Sequence, residues 1–80
     1  MNQFIEKQIG QNIRSLRERA NMTQEALAVQ LQLRSCDITR SAVAKIEVGQ
    51  RHLYADEIIL IKEILGVTYE EIFSVKNESN

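Results

Sequence analysis

Apolar residues recur along this chain at steps of three and four, with no convincing alternation of period two. Ile5, Ile9, Ile13, Leu16 and Ala20 follow one another at intervals of four, four, three and four, one face of a first helix. Gly10 lies inside that stretch and costs about 1 kcal/mol relative to alanine; Asn21 can take the left-handed conformation that ends it. Thr23 reads as the N-cap of a second helix, with Glu25 in its first turn and Leu27, Ala28 and Leu31 on its inner face. The period lapses at Arg34-Ser35-Cys36-Asp37, which reads as a loop. Thr39 can cap a third helix with Ala42, Val43 and Ile46 inward and Gly49 as its stop. Ile58-Ile59-Leu60-Ile61 could be a buried strand, but Glu57, Lys62, Glu63, Ile64 and Leu65 extend the run at helical period. Length decides for a fourth helix, starting near Asp56 and ended by Gly66. Thr68-Tyr69-Glu70-Glu71 forms a capping box that opens a short fifth helix through Ile72 and Phe73. The pattern therefore predicts an all-α domain of five short helices over residues 1–73, followed by a polar, frayed tail over 74–80.

Eighty residues support one small domain with a limited core. No run approaches the ~18 apolar residues of a membrane span, and Met1-Asn2-Gln3-Phe4-Ile5-Glu6 lacks the layout of a signal peptide. A single cysteine cannot form an internal disulfide. A cytoplasmic protein is the expectation. Metal chemistry is starved of ligands, because a structural zinc site takes about four Cys or His side chains and the chain offers Cys36 and His52. The same two residues would have to serve any Cys/His nucleophile; their plainer readings are a core or loop thiol and a surface histidine. Gly10, Gly49 and Gly66 stand too far apart for a phosphate-binding loop. The expectation is no metal, no cofactor and no enzyme activity.

The formal net charge of −1 speaks by itself against a nucleic-acid binder, but it hides a division. Residues 1–52 carry eight basic and five acidic side chains, a balance of +3, whereas residues 53–80 carry two basic and six acidic ones, a balance of −4. Such polarity fits a basic working face backed by an acidic one, and equally fits charges that solvate helix surfaces.

The most informative stretch runs from Thr23 to Arg51. One helix opens with Thr23-Gln24-Glu25-Ala26-Leu27-Ala28; the next carries Val43 and Ile46 inward and Arg40, Ser41, Ala44 and Lys45 outward. Small residues allow close approach to a major groove, and Arg or Lys can donate to guanine O6 and N7. The same spacing also describes an ordinary amphipathic helix with a solvated polar face. Taken with Ile9-Gly10, Ile13-Arg14 and Leu16-Arg17, with Thr39-Arg40-Ser41, Val43, Lys45-Ile46-Glu47, Gly49 and Arg51, and with Leu65-Gly66-Val67-Thr68 and Glu71-Ile72-Phe73, the chain resembles the phage-repressor and Cro-like (XRE) helix-turn-helix family over residues 9–73.

The resemblance implies a compact, five-helix, lambda-repressor-like domain that binds double-stranded DNA as a transcriptional regulator of repressor type. It implies base-reading roles for Arg40, Ser41, Ala44 and Lys45, and phosphate contacts from Arg14, Thr23, Gln24, Thr39, Gln50 and Arg51. It also implies a structural ion pair between Arg17 and Glu47, whose alternative is two unpaired surface charges. Such proteins usually bind inverted-repeat operators as homodimers. A self-association surface within this chain would draw on Leu53, Tyr54, Ile59, Leu60 and Phe73. One feature departs from the family pattern: Gln24 and Arg40 are sixteen positions apart with no glycine between them, about five more than usual for a tight helix-turn-helix link. Either the second helix runs on through Leu33, or Arg34 to Asp37 forms a surface loop, where Arg34 could reach a phosphate or the loop could serve a partner. The contrasting functional reading is a protein-interaction module, such as an antitoxin or anti-repressor, built on the same bundle.

Overall fold

The computed structural model describes residues 2–75. Five helices follow in order: α1 (Gln3–Arg19), α2 (Gln24–Leu33), α3 (Arg40–Glu47), α4 (Ala55–Leu65) and α5 (Tyr69–Phe73). No strand occurs among the described residues, and the run Ile58 to Ile61 is helical. No helix is long and apolar enough to cross a membrane. Of the predicted tail, residues 76–80 lie outside the described residues.

Local chemistry sets the helix boundaries. The hydroxyls of Thr23, Thr39 and Thr68 accept from the backbone N–H groups of Ala26, Ala42 and Glu71, so each satisfies a donor left unpaired in a first helical turn. The Glu71 carboxylate returns the bond to the Thr68 N–H, completing the predicted capping box. Asn2 caps α1 in the same way, accepting from the Ile5 N–H. Asn21, Gly49 and Gly66 all take positive φ where their helices stop.

α3 lies at the centre: α1 and α2 both pack on it, α2 also meets α4, and α1 meets α5. Ile13, Leu27, Leu31, Ile38, Ile61 and Ile72 are the largest fully buried side chains. Val43 and Ile46 turn into this core as predicted, whereas Ala42 is only half-buried. The apolar stripe of α1 is shorter than its periodicity suggests, because Ile5 and Ala20 are exposed at its two ends. In place of a longer stripe, α1 buries Gly10 and Arg17. A Cβ at Gly10 would run into the carbonyl oxygens of Ile46 and Glu47, so this glycine lets α1 cross the last turn of α3 at close range.

The long α2–α3 connection combines both alternatives open in the sequence. α2 does continue through Leu33, and the chain then turns at Ser35, which takes the left-handed position (φ 62°) that a glycine would usually fill. The Ser35 and Cys36 N–H groups donate to the carbonyls of Gln32 and Leu31, and the Gln32 amide donates to the Ile38 carbonyl. Cys36 and Ile38 are buried, which anchors the added residues in the core. Arg34 is exposed and folds back onto Gln30, donating to both its carbonyl and its side chain.

Candidate nucleic-acid interface

The site begins with an ion pair beneath it. Arg17, on α1, donates from Nε to Glu47 Oε2 at 2.7 Å and from Nη2 to Glu47 Oε1 at 3.0 Å. Its Nη1 donates to the Met22 carbonyl at 2.7 Å. Arg17 and Glu47 are 7% and 2% exposed, so the alternative of two surface charges does not hold. The Glu47 hydrogen bonds, more than offsetting the opposing effect of burial, raise the Arg17 pKa above its ordinary value. Removing one member of a buried pair typically costs about 3–5 kcal/mol, because the survivor stays buried without a partner. This pair clamps α1 to α3, and its Met22 bond also fixes the chain entering α2. Glu47 is thus spent within the fold and presents no charge to an approaching anion.

Gln24, the first residue of α2, joins the same network, with Nε2 donating to Glu47 Oε1 at 3.0 Å. Sequence spacing gave no hint of this bond, which spans 23 positions. A concavity of about 520 Å³ elsewhere, between α1 and α5, is lined by Asn12, Ser15, Leu16, Thr68, Glu70, Glu71 and Ser74. The basic concavity is a different one: Arg14, Arg17, Thr23, Gln24, Glu25 and Arg40 surround about 700 Å³. It leads to a smaller depression of about 270 Å³ between Gln24, Arg40, Ser41 and Ala44. The structure thereby brings together Arg14, Thr23, Gln24, Arg40, Ser41 and Ala44 from three helices. The N-terminal turns of α2 and α3 open on this side, where unpaired backbone N–H groups and the helix dipole favour negative charge.

Arg40, Ser41 and Lys45 are exposed and Ala44 is half-buried, so the predicted outward face of α3 is uncovered. Among the described residues, neither Arg40 nor Lys45 has an acidic partner. Arg14 pairs with Glu18 at 3.5 Å, but both side chains are more than half exposed, and such a pair contributes little. Thr39 is exposed, and its hydroxyl accepts from the Ala42 N–H as the cap of α3. Gln50 is exposed beyond the C-terminus of α3, its N–H bonded to the Lys45 carbonyl.

Arg51 is held differently. Its Nη1 and Nη2 donate to Glu57 Oε1 and Oε2 at 2.9 and 3.0 Å, and Nη1 also donates to the His52 carbonyl. Its guanidinium lies 5.7 Å from the Tyr54 ring centre. Burial alone would push the Glu57 carboxyl up, but the Arg51 hydrogen bonds and the Tyr54 backbone N–H outweigh it and hold that carboxyl below its usual value. The signal for this pair was an arginine six positions before a glutamate in the first turn of a helix, a spacing with no fixed geometry.

The helix-turn-helix family model matches residues 13–72. The chain is 33% identical over 72 residues to the control protein C.BamHI of Bacillus amyloliquefaciens, covering 89% of this chain and 83% of that protein. The crystal structure of the DNA-binding domain of BldD has the same fold, with a TM-score of 0.76 at 18% identity over 91% of this chain and 99% of that one.

Proposed function

This chain belongs to the helix-turn-helix family, and from that membership we propose that it is a sequence-specific transcriptional regulator of repressor type that sets α3 in the major groove of DNA. The observation that carries the reading is the uncovered face of α3, where Arg40 and Lys45 stand exposed and Arg40 lines the concavity it shares with Arg14 and the start of α2. Arg40 and Lys45 donate to base edges, while Ser41 and Ala44 allow close approach. Arg14, Thr23, Thr39 and Gln50 meet phosphates on either side and set the docking angle. Arg51 supports them by fixing the segment after α3 against α4. The domain works in the cytoplasm as a homodimer on an inverted-repeat operator. The exposed apolar side chains Tyr54, Ile59 and Phe73 support that pairing; Leu53 belongs to the core and Leu60 is half-buried against it. Sedimentation that finds only monomer, both free and on a palindromic duplex, would remove the dimer.

The test compares wild type with Arg40→Ala on a duplex enriched from a random pool and on a scrambled one. Arg40→Ala is expected to weaken binding to the enriched duplex by about 1–3 kcal/mol and to blunt discrimination at one base pair. An equal loss on both duplexes would reassign Arg40 to the backbone. Absence of wild-type binding to either would overturn the reading.

A further inference from the structure

We propose that Gln24 reads a base, and that the base is adenine, an inference that rests on the DNA-binding reading above. The sequence groups Gln24 with the backbone contacts, at the start of α2. In the structure its amide nitrogen donates to Glu47 Oε1 at 3.0 Å. A carboxylate held by Arg17 can only accept, so the neighbour itself settles which end of the amide faces inward. That leaves Gln24 Oε1 and its second N–H without a partner among the described residues. Both belong to a half-buried side chain lining the 270 Å³ depression beside Arg40, Ser41 and Ala44, on the uncovered side of α3.

A phosphate offers acceptors only, so it could use the second N–H but would leave the carbonyl oxygen unmatched. Adenine offers a donor at N6 next to an acceptor at N7 on its major-groove edge, which matches an amide presenting one acceptor and one donor. Ala44, with its single methyl, leaves space for the base to come close. Since the Glu47 carboxylate is itself fixed by two Arg17 hydrogen bonds, the amide is held in place before DNA arrives.

The experiment selects bound sequences from a random duplex pool with wild type, Gln24→Ala and Gln24→Met, the last keeping the stem of the side chain but not the amide. Wild type is expected to enrich an adenine that neither variant enriches, its preference there falling roughly tenfold. Replacing that adenine by 7-deazaadenine is then expected to weaken wild type and leave both variants unaffected. Variants that lose affinity by one factor on every sequence, with unchanged preferences, would make Gln24 a backbone contact and overturn the proposal while the regulator reading stands. A wild-type protein that enriches no sequence would instead overturn that reading, and this inference with it.

Discussion

Arg40 and Arg51 belong to one contiguous motif, yet they stand in different surroundings, and the roles proposed for them differ accordingly. Arg40 is exposed and without an acidic partner among the described residues, whereas Arg51 is neutralised by Glu57, whose side chain is 8% exposed. Arg51→Ala is therefore expected to lower stability by about 2 kcal/mol, as charged hydrogen bonds are lost and a carboxylate is left half-dry. The salt dependence of DNA binding should stay unchanged. A fall of about one in that slope would place Arg51 among the phosphate contacts. The sequence identifies which side chains are cationic and which face of α3 they share, because helical period decides that locally. It does not identify their partners. Arg17 and Glu47 are paired across 30 positions, and only a likeness to known proteins, not spacing, pointed to them.

The helix boundaries at Thr23, Thr39 and Thr68 and at Asn21, Gly49 and Gly66 were legible because they are short-range: a threonine oxygen reaches an N–H three residues on, and Asn21, Gly49 and Gly66 end their helices in the left-handed conformation. The α2–α3 connection was not, because Cys36 and Ile38 sit among polar neighbours and only the closed fold reveals that both face the core. Gly10 shows the same limit. Propensity alone predicts that Gly10→Ala stabilises α1 by about 1 kcal/mol, but the added methyl would strike the α3 backbone. The expected outcome is a loss of about 1–3 kcal/mol from overpacking, measured by urea denaturation. Gly66→Ala meets open space and faces only its positive φ, so it should cost about 1 kcal/mol. A Gly10→Ala protein as stable as wild type would mean that α1 and α3 do not approach this closely.

Across the whole molecule, the acidic half of the chain forms α4 and α5, and two of its carboxylates serve as ties. Glu57 holds Arg51, and Glu71 holds Arg19 at 2.8 Å. Glu71 is kept below the ordinary carboxylate range by the Arg19 hydrogen bond and the Thr68 N–H. Groups whose pKa is lowered on folding stabilise the protein fully above their unfolded values and lose that contribution as pH falls through the folded ones. Thermal stability should therefore be flat near neutrality and decline below about pH 4.5. Glu57→Gln should start lower and decline less; a decline as steep as that of wild type would show that Glu57 is not one of the groups responsible. The charge division by itself left open whether the basic half binds anything, and the proposed interface narrows the question to one surface. Methylation interference at guanine N7 on an enriched duplex probes that surface most directly. Methyl groups in the major groove at the guanines met by Arg40 and Lys45 are predicted to abolish binding, with the effect at one guanine disappearing in Arg40→Ala. Binding that tolerates N7 methylation at every guanine of the site would contradict the placement of α3 in the groove.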